Sequence, residues 1–356
     1  MNKTPLPSES LLVSQLARTI IGSLPPRWSG RIAGGHAIAD SVADLVIDVE
    51  SPGGQDLRLV VKVKRTLEPR SVQETIGQAQ SVATALDAVP VVGASYLSPR
   101  SQELLIDDEI AYVDSTGNIR IASDSPGMFI LMTGAQRDPW PRESGIQSLR
   151  GRASGRALRA IVDFTPPFGI RELAERSGTS PASLSRVAGL LDREALITRD
   201  GRGAISEVDW QGALERWTQD YDQLQSNTAH RFLAPRGLED LRGRLADTAL
   251  PVVATGAFGA QEFDPVAPAR TAALYVTDPL RVADALDLRE IDSGANVILL
   301  EPYDPVVFDR TLERGGLTIV AASQLAADLL TGPGREPSQG EAILEWMTEN
   351  EHAWRT

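Results

Sequence analysis

The sequence predicts a multidomain protein of mixed α/β and α+β class. The chain has 356 residues, which is more than one hydrophobic core usually serves. Apolar strand-like runs alternate with helical stretches in its first and last thirds. A central arginine-rich segment instead shows three short helices close together. We therefore expect an α/β domain at residues 1–140, a small helical domain at 148–235 and a second α/β domain at 236–356.

Composition narrows the class of protein. The formal net charge is −13, which argues against a chain coated with nucleic acid along its whole length. The absence of cysteine excludes disulfides, thiolate zinc sites and thiol nucleophiles, and is compatible with a reducing compartment. There is neither a long apolar run nor a signal-peptide pattern at the start. We therefore expect a cytoplasmic protein without a membrane partner.

Two paired strands are predicted near the start of the first domain. The stretches 43–50 (ADLVIDVE) and 57–65 (LRLVVKVKR) flank SPGGQD, a strong turn signal. Strand side chains alternate between faces, so one face of the first strand carries Asp44, Asp48 and Glu50. By the same alternation, one face of the second strand carries Arg58, Lys62 and Lys64. If these faces coincide, carboxylates lie opposite cations and form cross-strand salt bridges.

Four further elements are predicted after these strands. They are a helix at 71–86, an apolar strand, another helix and a last strand. Over residues 30–130 this order resembles the restriction-endonuclease-like PD-(D/E)XK superfamily. The resemblance implies a metal-binding acid at Asp44 or Asp48, a lysine at Lys64 and a helix glutamine at Gln78.

One position departs from the pattern of that superfamily. Lys62 stands where its second acid belongs, and an ammonium group repels Mg²⁺ rather than binding it. We therefore expect an inactive nuclease-like scaffold that needs no cofactor. A working Mg²⁺-dependent nuclease stays open as an alternative if Glu50 or Asp48 replaces the missing acid. Surface salt bridges without any chemistry are an equally good explanation of the strand pair.

The central segment is a basic island in an acidic chain. Residues 148–202 contain ten arginines and six acids, so the segment carries +4 and the remainder −17. Helical spacing of Leu158, Ile161 and Val162 predicts a first helix, and a second follows around Leu173. Gly178 suits the turn, and Pro181 suits the first position of a third helix. Residues 196–208 (LITRDGRGAISEV) have the character of a strand, a tight turn and a strand.

The stretch 172–197 (ELAERSGTSPASLSRVAGLLDREALI) resembles the winged helix family of bacterial DNA-binding regulators. The resemblance implies that the third helix enters the major groove with its leading residues first. The candidate DNA-binding residues are Arg150, Arg152, Arg156, Arg159, Arg171, Ser180, Ala182, Ser183, Ser185, Arg186, Arg199 and Arg202. Each arginine could equally be a solvated surface residue, and some modules of this kind bind protein instead of DNA.

The last third predicts an α/β domain. Its motif TGAFGA (255–260) resembles a nucleotidyltransferase glycine loop, but the next strand, TAALYV (271–276), lacks the catalytic acids of that family. With the basic segment, SGANVILLEPYD (293–304) and ASQLAADLLTGPGR (322–335) resemble type IV abortive-infection (AbiEi-type) antitoxins, especially actinobacterial helix-turn-helix relatives. The resemblance covers residues 150–350.

The antitoxin resemblance implies a protein that represses its own operon and counteracts a nucleotidyltransferase toxin. We expect double-stranded DNA as a partner, a homodimer on paired half-sites and a cognate toxin. The leading hypothesis is an antitoxin-like DNA-binding regulator rather than an enzyme. The metal-dependent nuclease is the alternative, and a protein-binding module is a third possibility.

Overall fold

The computed structural model describes residues 5–33, 37–38, 41–141, 145–263 and 268–356. Its architecture is mixed α/β, which confirms the class expected from the sequence. It divides into two compact units, Met1–Ser144 with Arg193–Ala195, and Gly145–Asp192 with Leu196–Thr356. No helix in these described ranges is both long and apolar enough to cross a membrane.

The first unit is built on a mixed seven-stranded sheet of order β1-β4-β5-β6-β7-β8-β9. Strands β5, β6 and β7 run parallel to one another, and the other neighbours are antiparallel. The elements are α1 (Glu9–Gly22), β1 (Ser29–Ala33), β2 (Ala37–Ile38), β3 (Ser41–Val42), β4 (Leu45–Glu50), β5 (Asp56–Lys64), a 3-10 turn (Pro69–Ser71), α2 (Val72–Ala85), β6 (Val89–Ala94), α3 (Pro99–Asp107), β7 (Ala111–Asp114), β8 (Ile119–Asp124) and β9 (Gly127–Met132).

Helices cover both faces of this sheet. On one face α1 buries Leu12, Leu16 and Ile20 against the odd-numbered apolar residues of β4 and β5. On the other face α2 buries Val72 and Ile76 against apolar residues of β6. Because both faces are covered, β4 and β5 read as nearly continuous apolar runs interrupted by a few charged residues.

The β4–β5 pairing sets the charged residues opposite one another. Leu45 pairs with Val61 and Asp48 pairs with Arg58 in an antiparallel register. The even-numbered residues of both strands therefore share a face, which is the condition under which the sequence predicted cross-strand salt bridges. Asp44, directly before β4, consequently lies beside Lys62.

The second unit contains a three-helix module, a two-stranded hairpin and a second seven-stranded sheet of order β15-β12-β16-β14-β13-β18-β17. Its elements are α4 (Arg152–Asp163), α5 (Ile170–Ser177), α6 (Pro181–Arg193), β10 (Ile197–Arg199), β11 (Ile205–Val208), α7 (Trp210–Thr218), α8 (Gln223–Ser226), β12 (Thr228–Leu233), α9 (Leu238–Asp247), β13 (Val252–Thr255), α10 (Gly256–Ala260), β14 (Ala272–Val276), α11 (Pro279–Ala285), β15 (Arg289–Glu290), β16 (Val297–Glu301), a 3-10 turn (Pro305–Phe308), β17 (Leu312–Arg314), β18 (Leu317–Ile319), α12 (Ala322–Leu330), α13 (Glu336–Glu349) and α14 (Glu351–Trp354).

One continuous apolar core joins the three-helix module to the second sheet. It contains Leu158 and Leu184 from the helices together with Leu274 and Leu325 from the sheet side. Strand β12 pairs with β16 inside that sheet. The boundary expected at residue 235/236 therefore falls after the first strand of the sheet, not between two separate cores.

Candidate nucleic-acid interface

The three-helix module, α4 to α6, has the arrangement expected from the central sequence motif. Helix α5 ends at Gly178, which takes the left-handed conformation (φ 63°) that favours glycine and turns the chain toward α6. Helix α6 then begins at Pro181, where the missing amide hydrogen costs nothing. Its inner side is anchored by the buried residues Leu184, Val187, Leu190 and Leu191. The opposite side of α6 is therefore held in a fixed orientation.

The leading edge of α6 is exposed. Pro181, Ala182, Ser185 and Arg186 are all exposed, and so is Ser180 immediately before the helix. These are the residues from which the sequence predicted contact with base edges. This edge of α6 is therefore open to solvent.

Ser183 differs from the prediction. It was expected to contact DNA, but only 6% of it is exposed because it points toward the core side of α6. Its hydroxyl lies 3.4 Å from the Arg186 Nη2, which donates a hydrogen bond to it. Ser183 therefore supports Arg186 and is not positioned to read bases.

The β10–β11 hairpin is the strand, turn and strand predicted for residues 196–208. Asp200 organises its turn by accepting hydrogen bonds from the Arg202 and Ala204 amides, each at 2.9 Å. The Arg202 side chain is exposed at the turn. Arg199, in contrast, donates to the Gly203 carbonyl at 3.2 Å and pairs with Asp192 at 3.5 Å. Arg202 is thus the better placed of the two for a phosphate.

Arg159 was predicted to follow the DNA backbone, and this prediction is wrong. The residue is fully buried, and its guanidinium donates to the Val306 carbonyl at 2.9 Å and to Asp163 at 3.0 Å. Asp163 also accepts from Arg310 and Ser323. Burial alone would raise the pKa of Asp163, but the charges of Arg159 and Arg310 and the bond from Ser323 lower it. Arg159 is therefore part of a buried ionic core.

Arg156 is also engaged inside the second unit. Its Nε and Nη2 donate to the Asp304 Oδ1 at 3.1 and 2.6 Å. Asp304 is buried and lies 148 residues further along the chain. A partner so distant gives no signal in a local reading of the sequence. This pair fastens α4 to the loop after β16.

The surface charge of the basic island is smaller than its sequence total. The arginines of this segment that are exposed are Arg150, Arg152, Arg171, Arg176, Arg186 and Arg202. The exposed acids of the same segment are Glu172, Glu175 and Asp200, and Glu207 is exposed just beyond it. Arg176 also lies 3.6 Å from Glu172. The surface is therefore mildly basic, and α6 with the hairpin turn carries few competing acids.

The strand pair of the first unit forms the predicted cross-strand salt bridges. The Lys62 ammonium lies 3.1 Å from the Asp44 carboxylate, which also accepts a hydrogen bond from the Val63 amide at 2.8 Å. Asp48 pairs with Arg58 at 2.7 Å and with Arg31 at 3.6 Å. Both carboxylates therefore face cations of the protein itself.

The remaining residues of the nuclease pattern do not complete a metal site. Gln78 donates to Glu74 at 2.9 Å within α2, and Glu50 is exposed at the end of β4. Lys64 follows Lys62 on the same face of β5 and is half-buried. Within the described residues, no group of three or more acids or histidines is arranged to hold a metal ion.

The second sheet encloses a buried polar cluster that the sequence reading missed. Asp328 accepts hydrogen bonds from the Tyr221 hydroxyl at 2.6 Å, the Thr255 hydroxyl at 2.5 Å and the Gln324 amide at 2.8 Å. Burial raises the pKa of Asp328. ADLL (327–330) reads locally as an ordinary amphipathic turn, so only the fold brings these donors together. Beside the cluster, β14 is fully buried and carries no acid, as its sequence predicted.

Comparison of this chain with family models, with curated proteins and with solved structures found no match.

Proposed function

We propose that this protein binds duplex DNA through α6 and the β10–β11 hairpin, as a winged helix regulator of antitoxin-like character. The observation that carries the proposal is the open leading edge of α6, at Pro181, Ala182, Ser185 and Arg186. Arg186 has the donors to bind guanine in the major groove. Ser185 can donate to a base or a phosphate.

The hairpin supports the proposal through Arg202, an exposed cation at a tight turn. A guanidinium at such a turn has the donors to bind phosphate or to enter the minor groove. The exposed Arg150 and Arg152, near the start of α4, add two further candidate phosphate contacts. We take these three arginines, with Arg171 on α5, as the electrostatic part of the interface.

DNA binding is tested by fluorescence anisotropy with the region upstream of the gene. The wild type is compared with Arg186→Ala, Ser185→Ala and Arg281→Ala, the last replacing an exposed arginine on α11 as a matched control. We expect Arg186→Ala to weaken specific binding about tenfold or more, since a base-contacting pair contributes roughly 1–3 kcal/mol. Arg281→Ala should bind as the wild type does. Equal binding by Arg186→Ala and the wild type would contradict the proposal.

The proposal also implies two protein partners, a second copy of this chain and a toxin. A homodimer would place two copies of α6 about one helical turn apart on paired half-sites. A nucleotidyltransferase toxin is proposed as a protein partner on the antitoxin resemblance of the second unit. Sedimentation of the protein with and without its DNA tests the dimer, and co-purification with the product of a neighbouring toxin-like gene tests the second partner.

For the first unit we infer a restriction-endonuclease-like scaffold without nuclease chemistry. Its antiparallel β4–β5 pair, followed by α2 and the parallel strand β6, supports the scaffold. The salt bridge from Lys62 to Asp44 argues against the metal-dependent alternative, because the ammonium lies on the carboxylate that would bind the cation. Incubation of plasmid DNA with the protein and Mg²⁺ or Mn²⁺ should leave the DNA intact.

A further inference from the structure

Strand β9 (GMFILM) forms one edge of the first sheet. It pairs with β8 on one side, and among the residues that the structure describes no strand pairs with its other side. An edge strand presents a row of backbone N–H and C=O groups that the sheet leaves without partners. A second extended strand that adds to the edge can satisfy this row. The partner that fits β9 best is therefore itself a strand.

One face of β9 is apolar and open to solvent. Met128 and Ile130 are buried in the core cluster beneath α1, whereas Phe129 and Leu131 on the opposite face are 63% and 58% exposed. Ala122 of β8, which pairs with Phe129, is exposed as well. Large apolar side chains that lie together on a surface mark sites of interaction. The partner strand should therefore be apolar on this face.

The other edge of the same sheet is better protected. Strand β1 (SGRIA) carries Arg31 at its centre, and the Arg31 side chain is 83% exposed. Charged side chains and prolines on an edge strand discourage pairing with another chain. The six residues of β9 include neither a charged residue nor a proline. Of the two edges, β9 is thus the one open to pairing.

The sequence of β9 is complementary to itself. Its last five residues, MFILM, have a symmetric pattern about Ile130. If a second copy pairs antiparallel with Ile130 opposite Ile130, Phe129 lies opposite Leu131 twice, on the exposed face. Cross-strand pairs of this kind stabilise a sheet. Because β9 is uncharged, two copies also meet here without like-charge contacts along the strand, although each chain carries −13.

The area available suits a weak dimer. Phe129, Leu131 and Met132 are 63%, 58% and 50% exposed. With about half of roughly 200 Å² from each side chain and the edge of the main chain, two copies bury about 1,000 Å² in total. This area is close to the lower limit for a specific interface. The dissociation constant should therefore be on the order of micromolar.

We propose that β9 is a dimerisation edge that pairs antiparallel with β9 of a second copy about Ile130. The pairing joins two seven-stranded sheets into one continuous sheet. Such a contact uses the same surface on both copies and closes as a dimer. It gives a surface to the homodimer of the proposed function and rests on that part alone. It is tested without DNA, so its failure and a failure of DNA binding are distinguishable.

Sedimentation velocity of the full chain, at about 1 to 100 μM protein without DNA, tests the dimer. We expect a reversible monomer–dimer equilibrium. The double variant Phe129→Lys with Leu131→Lys should raise the dissociation constant about tenfold or more, because two ammonium groups then lie opposite each other in each pair. Leu280→Lys replaces an exposed leucine of α11 and should dimerise as the wild type does. Circular dichroism checks that the variants are folded.

Disulfide cross-linking tests the register. The chain contains no cysteine, so every disulfide comes from the introduced residues. A mixture of Phe129→Cys and Leu131→Cys chains should form a linked dimer with one chain of each kind, because opposite residues lie within disulfide distance. A mixture of Phe129→Cys and Leu280→Cys chains is the control and should not.

Four results would overturn the proposal. The first is a monomer at every concentration, and the second is undiminished dimerisation of the double-lysine variant. The third is a yield of the Phe129→Cys and Leu131→Cys product no higher than that of the control mixture. The fourth is growth beyond the dimer, because β9 would then pair with a different edge, such as β1, and form open chains.

Discussion

At the scale of single residues, several charged side chains find their partners within the protein rather than in a ligand. Arg159 and Asp163 neutralise each other in the core, and Lys62 neutralises Asp44 at the edge of a strand pair. A buried charge is tolerated only when it is paired and hydrogen-bonded. Arginine content alone therefore overstates the positive potential at the surface of this chain.

Lys62 provides a prediction about metal binding. Lys62→Glu should place a new carboxylate next to that of Asp44, with Lys64 nearby. The two carboxylates should create a weak site for Mn²⁺ or Mg²⁺, because oxygen ligands then replace the ammonium. Lys62→Gln removes the ammonium without adding a carboxylate and serves as the control. Calorimetric titration should show Mn²⁺ binding by Lys62→Glu alone. Saturable binding of Mn²⁺ at Asp44 in the wild type would contradict the inference of a metal-free strand pair.

Glu336 provides a prediction about pH. Burial raises its pKa to about 7, against an ordinary value of 4.5, although a bond from the Ala257 amide opposes the shift. The folded chain then binds more protons than the unfolded chain between these two values, so stability falls as pH rises through this window. The loss is at most about 3 kcal/mol, and less where solvent reaches the group.

Urea unfolding from pH 4.5 to 8 measures this loss. We expect the free energy of unfolding of the wild type to fall relative to that of Glu336→Gln across this window and to level off above it. Glu341→Gln, at an exposed position of the same helix, should follow the wild type. Parallel curves for the wild type and Glu336→Gln would show that the pKa of Glu336 is not raised.

At the scale of elements, α6 and the β10–β11 hairpin carry the proposed recognition. Their apolar residues follow helical and strand periodicity, which is why the sequence predicts them well: Leu184 and Leu191 are fully buried and Ser185 is exposed. Ser183 was misassigned because it is a polar residue on the buried side of α6. Apolar periodicity locates the helix, but it does not show that a serine is buried.

If α6 and the hairpin bind DNA as proposed, the exposed arginines of the module limit how steeply the affinity depends on salt. Six are exposed, and each neutralised phosphate contributes about −0.9 to the slope of log K against log salt. We expect a slope no steeper than about −5, with Arg202→Ala reducing its magnitude by about 1. Anisotropy titrations between about 50 and 300 mM NaCl measure this slope. A slope near −10 would require contacts that this interface lacks.

At the scale of the whole molecule, the second unit folds around a single core. Leu158 of α4 and Leu325 of α12 belong to the same buried cluster, and Arg156 bonds to Asp304 across it. The sequence placed a boundary at residue 235/236 because apolar strands alternating with helices are recognisable only after that point. Strand β12 was missed because most of its residues are exposed or half-exposed, so it lacks an apolar run.

Fragments test the shared core. The piece 145–356 should unfold cooperatively, whereas the pieces 148–235 and 236–356 should lack a cooperative transition, since each exposes part of the common core. Circular dichroism during thermal unfolding compares the three. Cooperative unfolding of 148–235 alone would show that this piece is a separate domain, with the boundary that the sequence predicted.

The sequence and the fold agree where a pattern is local and differ where contacts are distant. The β4–β5 salt bridges were predictable from strand alternation and one turn signal. The Arg159–Val306 bond and the cluster around Asp328 were not, because their partners lie 147 and up to 107 residues away. The candidate interface on α6 belongs to the first class.

Site-directed photo-cross-linking to DNA tests the central claim most directly. A photoreactive side chain at position 185, on the leading edge of α6, should cross-link to the upstream DNA, and unlabelled DNA of the same sequence should suppress the product. The same group at position 281, on α11, should give no cross-link. Cross-linking from position 281 with none from position 185 would contradict the account, because α6 would then lie away from the duplex.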